Sequence, residues 1–487
     1  MKTDKVSEEI DYSAVGLKAG LEIHQQLDCG KLFCSCPGVL RNDAPDFIVT
    51  RKLHGVAGEQ GTIDAAAKYQ ASLDKTFVYQ GYKDNTCLVE LDEEPPHSLN
   101  SEALAIALQL SELLHAQPLK ATQVMRKIVV DGSNTSGFQR TVLIATDGFI
   151  TTSYGRVGIA TICLEEDAAR IVEKKKDSTI YRLDRLGIPL IEIATDPELY
   201  TPEQVKEAAL LLGEILRACK VKRGLGTIRQ DVNVSIKGHD RVEIKGFQDP
   251  AMMITTVDNE ILRQQKDLKD KKKLGEVRNA LPSGESEFLR PMPGAARMYP
   301  ETDVLLLRIN RSMIDEAKRN LPKMKSELKD DLKKYNLHDE ILKLILDEHL
   351  VDEFKELISV HSDAGIVGKM LVLYPKELAK KSNLSLDAVR EKLSNDVLVS
   401  ILEALNKKKI QDSQVKEVLE RIVSGIDLEK ALHFEKQDLN MVEEQVMKLI
   451  KEKPGLQVNA YMGLLIQEFK GKVDGKTLME LIRKYAK

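Results

Sequence analysis

The chain has 487 residues, 42% of them hydrophobic and 30% charged, a composition typical of a globular protein of two to four domains. Lys and Arg number 72 and Asp and Glu number 76, so the formal net charge of −4 excludes a uniformly polycationic nucleic-acid coat. No apolar run reaches the roughly 18 residues that a membrane span needs, and the charged start, Met1 to Glu9, shows no signal peptide. We therefore expect a cytoplasmic protein with no membrane contact.

Strand and turn patterns fill the first half of the chain. From Val15 to about Lys245, short apolar runs alternate with Gly, Asp and Asn. Two helices interrupt them: one follows Asn100 and closes at Gln117-Pro118, and the other opens at Thr201-Pro202 and runs to about Ala218. The pattern predicts an α+β region with a mixed or antiparallel sheet.

Helical periodicity dominates the rest of the chain. A helical segment between Asp249 and about Asn279 contains the charge run 266–273, which is typical of a solvated helix face or a linker. From Asn310 onward nearly every segment is helical in pattern. The last unit, 451–487, carries 8 basic and 4 acidic residues, a local charge of 8 − 4 = +4. This charge fits either a mildly basic helical tail or an RNA-contacting surface.

Polar residues lie within several apolar strands of the first half. Alternate residues of a strand share a face, so Glu22 and His24 lie together, and so do Arg229 and Asp231. Another strand contains a single carboxylate, Glu192, and a further one ends in three consecutive acids at 165–167. Each strand alone is explained by a half-exposed sheet face. Together they indicate an oxygen-rich cup suited to Mg²⁺ and a polyphosphate.

Phosphate-binding groups are available near these strands. The loop 131–137, with sequence DGSNTSG, offers backbone N–H donors, although a simple turn also explains it. It matches neither a Walker A loop nor a dinucleotide fingerprint. Cations that can offset phosphate charge are Arg126, Lys127, Arg140, Arg185 and Arg229.

The six cysteines are too few and too unevenly spaced for a disulfide framework. Cys34, Cys36 and Cys87 form a candidate structural zinc site, with free thiols as the alternative. A fourth ligand is not evident, and Cys29, His54 or His97 could supply it. Cys163 and Cys219 lie in apolar patterns that predict small core residues.

Long motifs spread over the chain resemble one known family. The runs are GLKAGLEIHQQLD, LFCSCP, CLVELDEEPPHSLN, RKIVVDGSNTSGFQRT, LEEDAAR, RLDRLGIPLIEIATDPE, IRQDVNVSI and PGAARMYPETD. They resemble the E-type subunit of archaeal glutamyl-tRNA(Gln) amidotransferase, a relative of the B-type subunit of the bacterial heterotrimer. The likeness extends from about Gly16 to the end. The chain lacks the family's inserted domain, which resembles part of aspartyl-tRNA synthetase. Only the residues from roughly Val257 to Phe288 lie where that domain would be inserted.

The resemblance implies a two-step reaction on glutamate attached to tRNA. ATP phosphorylates the side-chain carboxylate of Glu-tRNA(Gln) with Mg²⁺ as cofactor, and ammonia then displaces the phosphate. An asparaginase-like glutaminase of the D type supplies the ammonia through a channel, in a heterodimer or heterotetramer. The implied fold is α+β, with a catalytic cradle on an antiparallel sheet similar to glutamine synthetase, followed by helical and tail domains. We accordingly predict a catalytic cradle over 1–305, a helical domain over 306–450 and a tRNA-binding tail over 451–487.

The resemblance also implies specific site residues. The predicted catalytic residues are Glu22, His24, Lys127 and Arg229. The predicted magnesium ligands are Glu22, His24, Glu166, Glu192 and Asp231. The predicted ATP-binding residues are Ser133, Asn134, Thr135, Ser136, Arg140 and Arg185.

Three alternative functions stay open beside this one. They are a B-type subunit of the heterotrimeric Glu/Asp-tRNA amidotransferase, a carboxylate–amine ligase acting on a free substrate, and a non-enzymatic RNA-binding scaffold. The basic tail argues against the free substrate, and the clustered acids argue against the scaffold.

Overall fold

A computed structural model describes residues 10–53, 72, 74–129, 131–224, 226–247, 249–292, 298–434, 439–468 and 475–486. The chain divides into two compact units, Met1–Met324 and Lys325–Lys487. The first contains a large sheet with helices and the second consists of helices, so the predicted α+β class is confirmed.

The described strands all belong to the first unit. They are β1 (Lys18–Gln26), β2 (Phe47–Arg51), β3 (Thr76–Gly81), β4 (Gln117–Pro118), β5 (Ala121–Thr122), β6 (Met125–Ile128), β7 (Phe138–Thr152), β8 (Gly155–Glu166), β9 (Arg170–Lys174), β10 (Ser178–Arg182), β11 (Pro189–Thr195), β12 (Ile228–Ser235), β13 (Val242–Phe247), β14 (Glu276–Ala280), β15 (Ser286–Pro291), β16 (Met298–Pro300) and β17 (Leu307–Arg308).

Eleven strands form the large sheet in the order β15-β14-β13-β12-β1-β11-β8-β7-β6-β16, with β4 also paired to β7. Its neighbours are antiparallel apart from β13 and β14, which run parallel. Four strands, β2-β3-β10-β9, form a smaller sheet, and β17 pairs with β5. The longest strands, β7 and β8, lie next to each other as a hairpin, because only Ser153 and Tyr154 connect them.

The helices of the first unit are Tyr12–Val15, Ser101–Leu113, Pro202–Ala218, Met252–Lys269 and Arg311–Arg319. Two of these helices begin where the sequence predicts. The Asn100 side chain accepts hydrogen bonds from the N–H groups of Glu102 and Ala103, and Thr201 accepts one from Gln204. The helix Ser101–Leu113 ends before the stop predicted at Gln117-Pro118. Leu114 is its C-cap, and His115 adopts a positive φ of 53°, which is incompatible with a continuing helix.

The alternating pattern of β1 explains which face of the sheet is covered. Ala19, Leu21 and Ile23 are at most 1% exposed and join a core with side chains of the helices Ser101–Leu113 and Pro202–Ala218. Full burial of each large apolar side chain stabilises the fold by about 1.5–3 kcal/mol. Because one face is covered in this way, the polar residues between them on β1 must point to the other face.

The described residues of the second unit form helices joined by loops. Its α-helices are Lys325–Lys333, Asp339–Asp347, Val351–Val360, Ala364–Gly368, Tyr374–Ser382, Leu386–Lys392, Asn395–Asn406, Val415–Val423, Leu428–Ala431, Leu439–Glu452, Val458–Glu468 and Gly475–Tyr485. A π-helical turn, Lys369–Leu373, precedes Pro375, which has no N–H to continue a regular ladder. None of the described helices combines the length and apolarity that crossing a bilayer requires.

Apolar clusters show where each segment packs. Ile309 and Ala317 join the core of the first unit, which therefore extends beyond residue 305. In the second unit, Val442 and Val446 share a cluster with Tyr461, so the helix Leu439–Glu452 packs with the last two helices. The domain boundaries at 305 and 450 remain predictions. The packing favours a first boundary after residue 305 and a second boundary before residue 450.

Candidate active site

Register brings the polar residues of several strands onto one face of the large sheet. His24 on β1 lies opposite Glu192 on β11 and opposite Arg229 on β12. Glu22 lies opposite Asp231 in the same pairing with β12. Antiparallel partners point to the same side of a sheet, so these five side chains share the face opposite the apolar core.

The imidazole of His24 is the centre of this assembly. Its Nε2 lies 3.2 Å from Glu192 Oε2, 3.5 Å from Glu22 Oε1 and 3.8 Å from Glu165 Oε2. Lys127 of β6 contacts Glu165 and lies 3.6 Å from Glu192. Three carboxylates therefore surround one imidazole, and Asp231 adjoins them through Glu22. We call Glu22, His24, Glu165, Glu192 and Asp231 the carboxylate group.

A second lysine borders the carboxylate group on the other side. Lys245 of β13 donates a hydrogen bond of 2.5 Å to Asp231 and also contacts Glu243. Burial acts to lower the pKa of Lys245, but the charges of Asp231 and Glu243 outweigh it and raise the pKa to about 12. The ammonium is therefore fixed in its charged form between β12 and β13.

Crowding of carboxylates perturbs the acids themselves. Burial, and then the charge of Glu192, raise the pKa of Glu22 to about 7. Burial opposes ionisation of Glu192 too, but the hydrogen bond with His24 and the charge of Lys127 hold the pKa of Glu192 below its ordinary range. Burial acts to lower the pKa of His24, yet its hydrogen bond with Glu192 and the surrounding carboxylates raise it. These acids are held close together against their mutual repulsion.

The two glutamates that end β8 point in different directions. Glu165, which is absent from the predicted ligands, reaches His24 and Lys127. Glu166 instead accepts hydrogen bonds of 3.2 Å from the N–H of Arg140 and 3.4 Å from its guanidinium. Arg140 also donates a 2.8 Å hydrogen bond to buried Glu301. Consecutive strand residues face opposite sides, so the geometry supports Glu165 in place of the predicted ligand Glu166.

Asp167 directly follows β8 and binds Arg229 beside the carboxylate group. Its carboxylate is buried and accepts hydrogen bonds of 2.6 Å from Gln26 and 2.9 Å from Arg229. Arg185 lies 3.7 Å from it and donates to the carbonyls of Ala168 and Ala169. Arg229, a predicted catalytic residue, is thus oriented by a buried acid whose only signal in the sequence is its place in an acidic run.

The loop 131–137 uses its side chains within the protein. Ser133 donates to Asp131 at 2.6 Å, Thr135 donates to the carbonyl of Glu90 at 2.5 Å, and Ser136 donates to the carbonyl of Phe138 at 2.9 Å. Asn134 is buried. The hydroxyls of the predicted ATP-binding loop therefore have protein partners, and its role in nucleotide binding stays a prediction.

The carboxylate group fits a divalent cation. One ligand atom each from Glu22, His24 and Asp231 lies within 4.8 Å of the others, and so does one each from His24, Glu165 and Glu192. Carboxylate oxygens are the ligands that Mg²⁺ prefers, and a cation would offset both the burial and the charge of Glu192 that raise the pKa of Glu22. The two sets share His24, so they offer one extended site.

The predicted thiols also come together. Cys34, Cys36 and Cys87 lie with Glu90 in a set whose ligand atoms are within 4.8 Å of one another. A hydrogen bond from Cys34 lowers the pKa of Cys36 to about 7, whereas burial raises the pKa of Cys87 to about 11. Three sulfurs and one carboxylate match the four-coordinate chemistry of zinc.

The fourth member of this set is not among the three ligands suggested by the sequence. Cys29 is not in the set, His97 pairs with Glu94 at 3.1 Å, and His54 lies outside the described residues. The spacing Cys87-x-x-Glu90 is a readable signal for the missed ligand, because it places two ligands close together in the manner of a Cys-x-x-Cys pair.

Comparison with known proteins identifies the class. A family model described as the GatB/GatE catalytic domain matches residues 17–315, more than half of the 487. A relative from Methanocaldococcus jannaschii, named as the E subunit of glutamyl-tRNA(Gln) amidotransferase, is 35% identical, with 98% of this chain and 100% of the relative covered. Relatives of the same name from Thermococcus sibiricus and Pyrococcus abyssi are 34% and 33% identical, covering 98% and 92% of both chains.

The sheet and its carboxylate group therefore belong to one component of an amidotransferase, a carbon–nitrogen ligase complex. The chain is a member of the GatB/GatE family, which confirms the resemblance read from its motifs. Its alignment with the Methanocaldococcus relative runs over 632 positions, more than the 487 residues of this chain. The relative thus carries sequence that this chain lacks, in agreement with the missing insertion.

Proposed function

We propose that this chain phosphorylates the side-chain carboxylate of glutamate in Glu-tRNA(Gln) and then transfers ammonia to it, giving Gln-tRNA(Gln). The observation that carries the proposal is the carboxylate group, with Lys127 on one side and Arg229 on the other. The names of the relatives supply the substrate, and the site supplies chemistry that suits it. The antiparallel sheet with polar residues on one face also supports a cradle similar to glutamine synthetase.

In the first step, an oxygen of the glutamate carboxylate attacks the γ-phosphorus of ATP, and the bond to the bridging oxygen breaks to release ADP. Lys127 and Arg229 flank the acids and offset the negative charge that spreads over the transferred phosphoryl oxygens. Asp167 holds the guanidinium and Gln26 holds Asp167. In the second step, ammonia adds to the acyl carbon, phosphate leaves and a proton is lost.

We assign Glu22, His24, Glu165, Glu192 and Asp231 as the residues that would hold Mg²⁺. The ion, when bound, neutralises phosphate charge and orients the γ-phosphoryl group. The chain's own contribution is to keep several carboxylates together on rigid strands, where the charge of Lys127 stabilises the ionised form of Glu192.

We further propose that Cys34, Cys36, Cys87 and Glu90 hold a structural zinc ion. Glu90 Oε1 accepts a hydrogen bond of 2.8 Å from Cys34, and Lys31 Nζ lies 3.4 Å from the same oxygen. Lys31 is fully buried and also donates to the carbonyls of Asn85 and Leu183, so it fixes Glu90 in place. Zinc here would join two distant chain segments and would take no part in phosphoryl transfer.

The partner in this scheme is an asparaginase-like glutaminase of the D type, and the setting is cytoplasmic protein synthesis. The E-type names of the relatives support this two-component arrangement over the heterotrimeric one. A ligase acting on free glutamate would share the same carboxylate group, so the substrate has to be tested directly.

The test uses the purified full chain with ATP, Mg²⁺, ammonium chloride and Glu-tRNA(Gln). Free ammonium replaces the glutaminase, and the amino acid recovered from the tRNA is identified. ATP-dependent appearance of glutamine supports the proposal. Amidation of free glutamate with no reaction on Glu-tRNA(Gln) would assign the site to a small-molecule ligase, and tRNA binding without ATP cleavage would assign the chain to a scaffold.

A further inference from the structure

A basic segment adjoins the carboxylate group. Residues 217–229, with sequence RACKVKRGLGTIR, contain five Lys or Arg and no Asp or Glu. The segment links the helix Pro202–Ala218 to β12. It runs alongside the end of β1. The N–H of Lys222 donates 2.9 Å to the carbonyl of Gln26, and Gln25 donates 2.9 Å to the carbonyl of Lys222.

This attachment places the segment near the reaction. Gln26 is two residues beyond His24 on β1, so the backbone of Lys222 lies opposite a point roughly 7 Å along the strand from His24. Arg229, at the other end of the segment, lies opposite His24 itself. The segment therefore forms one rim of the carboxylate group, and we call residues 217–229 the basic rim.

Two cations of the basic rim are neutralised by the protein. Arg229 pairs with Asp167 at 2.9 Å, and Lys220 pairs with Glu102 at 2.5 Å. The other three have no carboxylate within 4.0 Å in the part of the chain that the structure describes. These three are Arg217, Lys222 and Arg223.

Lys222 and Arg223 contact backbone carbonyls instead. Lys222 donates to the carbonyl of Gly38, and Arg223 donates 2.9 Å to the carbonyl of Arg217. Burial lowers the pKa of Lys222, and burial followed by repulsion from Arg217 lowers the pKa of Arg223. The like charges of Arg217 and Arg223 are thus held close together, an arrangement that a bound anion would stabilise.

Open backbone lies next to these side chains. Gly224 and Gly226 have φ values of 115° and 81°, and a Cβ added at either would meet no atom within 4 Å. A sugar–phosphate chain could approach this backbone without a steric barrier. Arg217 and Arg223 are themselves exposed, so both are accessible to a large ligand.

We propose that Arg217, Lys222 and Arg223 bind the phosphates at the 3′ end of the RNA that carries the substrate glutamate. This inference rests on the proposed function. The reacting carboxylate is attached through its amino acid to the terminal ribose, so the nearest phosphates must pass within one or two nucleotides of the carboxylate group. Unpaired cations on the basic rim suit a phosphate backbone at that position.

The test compares the full chain with the double variant Arg217→Gln/Arg223→Gln. Both side chains are exposed, so an unchanged melting temperature is expected. A matched control is Lys271→Gln/Lys273→Gln, which removes the same charge from exposed lysines after the helix Met252–Lys269. Affinity for tRNA(Gln) is measured over a range of salt concentrations, together with steady-state kinetics on Glu-tRNA(Gln). The single variant Lys222→Gln is measured in parallel.

Each phosphate contact contributes about 0.7–0.9 to the slope of log affinity against log salt, so the double variant is expected to reduce the slope by about 1.5. The KM for Glu-tRNA(Gln) should rise about 10-fold or more, with the KM for ATP unchanged. A slope equal to that of the wild type, or an equal reduction in the lysine control, would overturn the proposal. So would unchanged RNA binding with loss of the complex with the glutaminase, which would assign the basic rim to an acidic protein.

Glutamine formation by the wild-type chain tests the proposed function separately. The salt slope is measured by binding alone, so it can change even if the chain makes no glutamine. Conversely, glutamine can form with an unchanged slope, in which case only the assignment of the basic rim fails.

Discussion

At the scale of single residues, two adjacent glutamates on β8 perform different tasks. Glu165 lies 3.8 Å from His24 and contacts Lys127 on the polar face. Glu166 is buried on the other side with Arg140. Burial raises the pKa of Glu166 despite the nearby guanidinium. We propose the first residue as a cation ligand, whereas the second binds Arg140, which in turn binds Glu301.

Replacement of Glu165 should impair the use of Mg²⁺. Glu165→Gln removes one charged oxygen donor from the carboxylate group while keeping the size of the side chain. We expect the Mg²⁺ concentration for half-maximal ATP cleavage to rise about 10- to 100-fold. The measurement is a magnesium titration of ATP cleavage in the presence of Glu-tRNA(Gln).

Glu166→Gln is the matched control. Its amide oxygen can still accept a hydrogen bond from Arg140, so the magnesium requirement should stay near that of the wild type. The free energy of unfolding should fall by about 1–3 kcal/mol, since a hydrogen bond to a charged group is weakened in a buried place. If Glu166→Gln changed the magnesium requirement and Glu165→Gln did not, the ligand assignment would have to be reversed.

Asp167 should act through Arg229. Asp167→Asn keeps the shape of the side chain but weakens its hold on the guanidinium, which it contacts at 2.9 Å. We expect kcat for glutamine formation to fall about 10-fold while the KM for ATP changes little. In a double-mutant cycle with Arg229→Ala, the two effects should couple by about 0.5–3 kcal/mol, as expected for residues in contact. Additive effects would show that Asp167 supports the fold and does not position Arg229.

At the scale of elements, the sequence predicts the contents of single strands and helices better than their pairing. Alternation alone places Glu22 with His24, and the caps at Asn100 and Thr201 mark two helix starts. These signals are local, so they can be read without the fold. The order of residues along one strand carries little information about which strand lies next to it.

The residues that were missed depend on non-local register. Lys245 reaches Asp231 only because β13 pairs with β12, and Glu165 reaches His24 only because β8 and β1 both border β11. A shift of one residue in β8 would have brought Glu166 to the polar face instead. The sequence therefore contains the chemistry of the site, while the choice between neighbouring acids requires the sheet.

The proposed zinc site belongs to the scale of elements because a zinc ion there would join the segment of Cys34 and Cys36 to the turn of Cys87 and Glu90. We expect about one zinc per chain by metal analysis, since structural zinc is bound tightly. Cys87→Ser should release it and lower the melting temperature. Glu90→Cys should retain it longer against a chelator, because a fourth thiolate is a softer ligand. Less than about a tenth of a zinc per chain in all preparations would show that Cys34, Cys36 and Cys87 are free thiols.

At the scale of the whole molecule, the carboxylate group and the C-terminal apolar cluster lie in different units. All residues of the carboxylate group, and both flanking cations, come from the unit Met1–Met324. The last three helices have an apolar cluster of their own, which includes Val442, Tyr461 and Ile482. Phosphoryl transfer is therefore expected to depend on the first unit, and the net charge of +4 over 451–487 suits a separate contact with RNA.

Removal of the three-helix tail should weaken tRNA use and spare the chemistry. Deletion of 435–487 removes every residue of this apolar cluster. No member of the cluster is therefore left behind without its packing partners. We expect the KM for Glu-tRNA(Gln) to rise about 10-fold or more while ATP cleavage at saturating tRNA stays near that of the full chain. Steady-state kinetics on both substrates measure the difference.

Deletion of 451–487 alone provides the informative comparison. This cut keeps most of the helix Leu439–Glu452 but removes the partners of Val442 and Val446, which are fully buried in the intact chain. Exposed side chains of this kind promote aggregation, so the shorter deletion should be less soluble than the longer one. If both deletions bound tRNA as tightly as the full chain, the tail would have no role in recognition, and the basic rim beside the carboxylate group would have to account for the affinity.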